Sequence, residues 1–159
     1  MTDTTFKDCT FDAGACNHDN AIYGGTVNGD VTFENCTISA EVYGANFSYV
    51  NGTLTFKNCD ITGWNSFGGG KNGADSKVVF ENCRFHKSGS YGTLRFYQDA
   101  EVKNCTFDND FEWIDCNASG KTITITNCTG IDASKIFNNG SKTSTWIVDG
   151  TQLENVPSH

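Results

Sequence analysis

Along the chain one pattern of apolar and polar positions recurs: two apolar residues two apart, a short polar turn, then two more inward candidates. The segments that carry it are TFKDCTF, TFENCTI, TFKNCDI, VFENCRF, EVKNCTF and TITNCTG. Before the turn the apolar pairs are Val31 and Phe33, Leu54 and Phe56, Val78 and Phe80, Ala100 and Val102, and Ile123 and Ile125. A period of two puts both members of a pair on one face of a strand. After the turn come Cys36 and Ile38, Cys59 and Ile61, Cys83 and Phe85, and Cys105 and Phe107. From Phe33 to Cys36 is three residues, so the alternation breaks and a corner falls at Glu34 and Asn35. Asn tolerates left-handed backbone and bonds its own neighbourhood, which suits it to such a corner.

The motif repeats at a near-constant interval. Cys9, Cys36, Cys59, Cys83, Cys105 and Cys128 follow one another every 22 to 27 residues, and a degenerate seventh copy, WIVDGTQ, puts Gly150 in the Cys slot. One such coil cannot bury its inner face alone; stacking successive coils as parallel strands sets like residues on like. The expected fold is all-β: a single-stranded, right-handed parallel β-helix of about seven coils. It forms one domain over residues 1–159, with 154–159 as a C-terminal tail. At a strand spacing of roughly 4.8 Å, six steps make a rod about 29 Å long. The stack predicts a Cys ladder, a Phe/Ile ladder, and a buried ladder of Asn35, Asn58, Asn82, Asn104 and Asn127, with Asp8 and Asp149 in the end copies. Stacked amides can bond from one coil to the next. A leucine-rich repeat lacks its leucine pattern here, and the Gly, Thr and Asn content with period-two patterning excludes an α-solenoid.

Between the motifs lie stretches of uneven length: 63–77, 87–100 and 109–121. Each holds the remaining strand of its coil and the loops. Leu94, Phe96, Ile114 and Ile136 are the inward candidates there. On a solenoid such loops gather on one side and carry function.

The repeats resemble the parallel β-helix coils of pectate-lyase-like proteins, including an Asn ladder at one corner. The F-x-N corner is also similar to the short repeats of bacterial β-helical surface proteins and of phage fibre or tailspike modules. The resemblance covers nearly the whole chain. It implies the fold, but this architecture serves lyases, hydrolases, adhesins and virion parts alike.

Composition narrows the function classes. The net charge is −8, with 11 basic residues scattered along the chain. Nucleic-acid binding needs clustered Lys and Arg, so no nucleic-acid partner is expected. No apolar run reaches the length of a membrane span. Nor does a basic-then-apolar segment open the chain, so either the chain is made without a cleaved signal or the signal was removed upstream. The 12 Phe, 5 Tyr and 3 Trp exclude a disordered chain.

Eight cysteines suggest disulfides at first. Six fall in an inward slot, however, where a free thiol packs as a small hydrophobe. Cys16 and Cys116 lie outside that ladder and a hundred residues apart, and no C-x-x-C pair supports a zinc site. His18, His86 and His159 have no motif around them. Asn-x-Ser/Thr occurs at Asn35, Asn46, Asn51, Asn104, Asn117, Asn127 and Asn139. Three of these belong to the expected buried ladder, which argues against a glycosylating route.

Two sets of residues suggest chemistry. The acidic run DNDFEWID offers Asp108, Asp110, Glu112 and Asp115, and hard cations want several oxygens in one place. The resemblance implies that such carboxylates hold Ca²⁺ while a basic residue abstracts a proton. Arg84, Lys87 and Arg95, on the preceding coil, are the candidate bases. The plainer reading of alternating acids on a solenoid is a solvated face. The second set is aromatic. Trp64, Tyr91, Tyr97 and Trp113 are the candidate ligand-binding residues, beside Tyr23, Tyr43 and Tyr49 in the earlier stretches between motifs. On a rod they suit stacking on sugar rings or anchoring a protein; core or loop packing is the alternative.

The expected function is a non-enzymatic β-helical module of a bacterial surface protein or virion fibre. It would be extracellular and would present loops to a glycan or protein without inserting in a membrane. The alternative is a small Ca²⁺-dependent polysaccharide lyase or another carbohydrate-active enzyme; otherwise no cofactor is expected. Ice binding is weaker still, since no flat T-x-T array runs through successive coils. The stack's ends are open strand edges, which invite end-to-end or side-by-side self-association. Pro157 protects the C-terminal end, and the N-terminal coil is expected to be covered by something outside these residues.

Overall fold

The computed structural model describes residues 1–14, 19–69 and 72–159. Cys16 and His18 lie outside the described residues. Extended segments succeed one another turn by turn. The first turn holds β1 (Thr4–Lys7), β2 (Thr10–Asp12) and β3 (Asn20–Asn28), and the second β4 (Val31–Glu34), β5 (Thr37–Ser39) and β6 (Tyr43–Asn51). The third holds β7 (Thr53–Lys57) and the long β8 (Asp60–Phe67); the fourth β9 (Lys77–Glu81), β10 (Arg84–His86) and β11 (Gly92–Phe96). The fifth holds β12 (Asp99–Lys103), β13 (Thr106–Phe107) and β14 (Trp113–Cys116). The sixth holds β15 (Thr122–Thr126), a 3₁₀ turn over Ala133–Lys135, and β16 (Ile136–Asn138). A seventh turn opens with β17 (Thr145–Val148) and is not completed, because β18 (Thr151–Gln152) folds back on it.

Corresponding segments pair in parallel. The first sheet runs β1-β4-β7-β9-β12-β15-β17, with β18 antiparallel at its edge. The second stacks β2, β5, the start of β8, β10 and β13. The third stacks β3, β6, the end of β8, β11, β14 and β16. The result is a right-handed parallel β-solenoid of about six turns. β8 serves two sheets because the chain turns within it at Gly63, whose φ is +84°. A Cβ there would sit 2.8 Å from the Val42 carbonyl oxygen, so glycine is required for the close approach.

The corner between the first and second sheets falls where the sequence places it. Asp8, Asn35, Asn58, Asn82, Asn104, Asn127 and Asp149 all have φ between +48° and +55°. The amides bond along the stack: Asn35 Nδ2 donates to Asp8 Oδ1 at 3.0 Å, Asn58 to Asn35 at 3.1 Å, Asn82 to Asn58 at 3.3 Å and Asn127 to Asn104 at 2.8 Å. This ladder, expected from the repeat to be buried, is exposed. A left-handed corner residue throws its side chain outward while Phe33 and Cys36 on either side point in. The argument against glycosylation from burial of Asn35, Asn104 and Asn127 therefore lapses.

Every apolar position of the motif in the second to fifth turns is buried, as are Leu94, Phe96, Ile114 and Ile136. Phe6, Phe33, Phe56 and Phe80 stack face to face with centroids 4.9–5.0 Å apart. The described cysteines are all free, and Cys116 is buried in the third sheet. Cys36, Cys59, Cys83 and Cys128 each donate Sγ to the carbonyl of the inward residue one turn earlier (Phe6, Phe33, Phe56 and Val102), at 3.4–3.6 Å. On the outer face of the first sheet, Lys7, Glu34, Lys57, Glu81 and Lys103 stand in register with alternating sign.

Candidate functional site

Strand alternation decides which side chains the third sheet shows to solvent. In β11 and β14, Leu94, Phe96, Ile114 and Cys116 point into the core. Their neighbours Thr93, Arg95, Trp113 and Asp115 therefore point to the sheet's outer face, where the side chains around them cover Thr93 and Asp115. Register then builds two rows across the stack. One runs Tyr43, Trp64, Thr93, Trp113; the other runs Ser66, Arg95, Asp115, Phe137.

The first row is aromatic except at Thr93. Tyr43 lies 5.2 Å from Trp64, ring centre to ring centre, and Tyr91, just before β11, lies 6.3 Å from it. Small Thr93 between two tryptophans leaves a cleft of about 170 Å³ lined by Trp64, Tyr91, Thr93, Arg95 and Trp113. The Arg95 guanidinium closes one side, 5.9 Å from the Trp64 ring and 5.3 Å from the Trp113 ring. Such stacking is favourable for a planar cation.

Behind the cleft Arg95 is fixed by Asp115, which is wholly buried. Arg95 Nε donates to Asp115 Oδ1 at 2.9 Å and Nη2 to Oδ2 at 2.7 Å. Asn139 Nδ2 donates to the same carboxylate at 3.0 Å, and His159 Nε2 lies 3.1 Å from it. Burial works against the charge on Arg95, but the Asp115 carboxylate outweighs it and moves the guanidinium's pKa up. His159 stacks on Phe137 at 4.6 Å and meets Trp113 edge-on at 4.7 Å. Two of the lining residues carry an unsatisfied polar atom: Thr93 Oγ1 and Trp64 Nε1 are buried without a hydrogen-bond partner. Thr93 as a whole is only 1 % exposed.

Of the aromatic candidates read from the sequence, Trp64, Tyr91 and Trp113 meet in this cleft. Tyr97 lies in a separate one of about 440 Å³, with Asn117, Lys121 and Lys142 among its walls. The acidic candidates are not brought together. Asp108 accepts from Arg84 at 3.0 and 3.2 Å and lies 2.8 Å from His86 Nδ1. Glu112 accepts from Lys87 Nζ at 2.9 Å and from the Gly92 amide at 3.1 Å. Asp110 is exposed on the loop beyond β13. Each candidate base thus neutralises one acid of the next turn: Arg84 with Asp108, Lys87 with Glu112, Arg95 with Asp115. Register puts these acids opposite three cations rather than opposite one another. Among the described residues no group of three or more His, Cys, Asp or Glu side chains is placed to hold a metal ion.

Sequence reasoning missed Thr93, His159 and the pairing role of Asp115. From Trp64 to Thr93 is 29 residues and from Thr93 to Trp113 is 20, so no constant spacing marks the row.

A stacked parallel solenoid of about six turns defines the class. The chain belongs to the right-handed β-helix region family, whose model matches residues 1–155. Searches of curated proteins and of solved structures return no match.

Proposed function

We propose that this chain is a non-enzymatic β-helical binding module, of an extracellular, cell-surface or virion assembly, that holds a glycan on the outer face of its third sheet. The observation that carries the reading is the Trp64–Thr93–Trp113 row. Two large aromatic side chains flank a recessed hydroxyl, with a stacked guanidinium at one end. Solvent-facing aromatic rings with nearby hydrogen-bonding groups suit the mixed apolar and hydroxylated surface of a sugar.

The competing lyase reading needs a basic group free to take a proton. Arg84, Lys87 and Arg95 are each paired with a carboxylate. The Asp108 carboxylate, hydrogen-bonded to Arg84, pushes that guanidinium's pKa further up and holds the proton on it. Groups so paired favour a static surface over proton transfer. The test is to incubate the protein with a panel of polysaccharides, including polygalacturonate with Ca²⁺, and to follow both retention in affinity electrophoresis and the absorbance of unsaturated products. Retardation by at least one polymer without product growth is expected. Product that scales with enzyme concentration would overturn the non-enzymatic reading.

A further inference from the structure

We infer that the cleft of the third sheet takes one uncharged sugar ring, edge-on between Trp64 and Trp113, with Thr93 Oγ1 bonding a sugar hydroxyl. This rests on the reading of the chain as a glycan-binding module and names the class of glycan.

Three observations lead there. The first is shape. Trp64 and Trp113 stand one strand to either side of Thr93, so their backbones are two strand spacings apart, about 9.6 Å. A ring sandwiched between two aromatic walls needs two van der Waals contacts, about 7–8 Å in all. The cleft of about 170 Å³ has room for a single ring, not for a chain laid flat.

The second is the unsatisfied polar atoms. A buried hydroxyl without a partner costs stability, and a valine would fill the same space without that cost. Thr93 and Trp64 both line the cleft, and Thr93 Oγ1 and Trp64 Nε1 are buried and unpartnered. Unpaired groups that face a cleft are paired by what enters it. A sugar hydroxyl satisfies both, since it accepts from an indole N–H and bonds a threonine hydroxyl in either sense.

The third is charge. Arg95 is the only cation lining the cleft, and Asp115 already accepts from both Nε and Nη2. An acidic sugar would bring its carboxylate towards a pair whose charge is already balanced, on a chain of net charge −8. The described lysines with neither a carboxylate nor a side-chain hydrogen-bond partner are Lys121 and Lys142, and both line the separate Tyr97 cleft. With Nε and Nη2 bonded to Asp115 and its plane stacked on the two tryptophans, what Arg95 has left to offer is N–H donors for neutral oxygens.

Tryptophan fluorescence titration of the whole chain decides it. The neutral probes are the hexaoses of cellulose, xylan, mannan and β-1,3-glucan; the acidic probes are oligogalacturonate, oligoalginate and heparin-derived hexamers, all at low and high salt. At least one neutral probe should saturate the signal, with an affinity that changes less than about twofold with salt. Trp113→Ala should weaken it at least about tenfold. Thr93→Val separates function from structure: it should raise the melting temperature while lowering neutral-sugar affinity about fivefold. A merely structural Thr93 would give the first change without the second, and that result overturns the inference. Tighter, salt-sensitive binding of an acidic probe, lost in Lys121→Ala/Lys142→Ala, would also overturn it and leave the module reading standing. No binding of either panel would sink both.

Discussion

Asn82 has a φ of +55°, and its exposed amide donates to Asn58 across one turn. Backbone conformation and side-chain bonding both fit Asn at this corner, and they separate along the stack. All seven corner residues have positive φ, including the two aspartates, whereas the amide bond is missing between Asn82 and Asn104. The backbone is therefore the more general cause. Left-handed backbone costs most residues about 1–2 kcal/mol, Asn less and Gly nothing. Asn82→Ala should lower stability by about 1 kcal/mol, and Asn82→Gly by only a few tenths, in urea denaturation. Asn117→Ala, at a position without positive φ, should change little. Equal losses for Ala and Gly at position 82 would transfer the corner's stability to the amide ladder. The corner was legible in the sequence because Asn sits where the period of two breaks. Its exposure was not, because the two neighbours that point inward give no sign of which way the residue between them turns.

A column of thiols runs along the corner of each turn, and its role belongs to the element, not to any one cysteine. Each of four Sγ atoms reaches back to a strand carbonyl of the previous turn, so the slot asks for a small side chain that also donates. Burial pushes the Cys36 and Cys116 thiols above the ordinary value of 9.0. Within the column neighbouring thiols split, contacts between them moving Cys83 and Cys128 up and Cys59 and Cys105 down, so the net holding of protons rests on Cys36 and Cys116. Cys36 and Cys116 then keep protons that the unfolded chain releases, so the stability they contribute is complete below pH 9 and lost above it. Urea midpoints should hold steady from pH 7 to 8.5 and fall beyond pH 9, with a slope approaching about 1.4 kcal/mol per pH unit for each thiol held protonated. A midpoint unchanged at pH 10 would mean that the column is not a ladder of buried neutral thiols. The thiol column could be read from sequence because the Cys slot recurs every 22 to 27 residues. The aromatic row could not. Trp64, Thr93 and Trp113 share a row only after loops of unequal length have been set aside, and strand register alone does that. The same register converts a run of acids, read in sequence as one cluster, into three ion pairs facing different ways.

Over the whole molecule, what distinguishes the two ends is how their edges are closed. At the C-terminal end Asp149 and Gly150 have φ of +48° and +79°, the pair of positive values that a two-residue type I′ hairpin requires. Gly150 stands in the Cys slot, so the motif that elsewhere turns the chain into a new coil here reverses it, and β18 covers the edge of β17. Asp149 keeps its place in the corner column by accepting from the Asn127 backbone N–H at 2.7 Å. The tail covers the third sheet as well: Pro157 O accepts from Asn138 N at 2.8 Å, and His159 N donates back to Asn138 O at 3.2 Å. Trp146, fully buried, plugs the core behind them and donates Nε1 to Asn138 Oδ1 at 3.2 Å. At the other end Met1 bonds Thr26 and Asn28 of β3. Among the described residues, β1 and β2 have partners on one side only. We propose that end-to-end association is held in check by the Asp149–Gly150 turn, because an uncovered β17 would match the free edge of β1 in another copy. Gly150→Val tests this without adding a thiol. A β-branched residue at φ +79° is disfavoured by about 1–2 kcal/mol, enough to open a two-residue hairpin while leaving the six turns intact. Light scattering should then show a mean mass that climbs with concentration in the variant and much less in the parent, at unchanged far-ultraviolet circular dichroism. If the variant stays as monodisperse as the parent across the same range, the turn is not what limits growth of the stack.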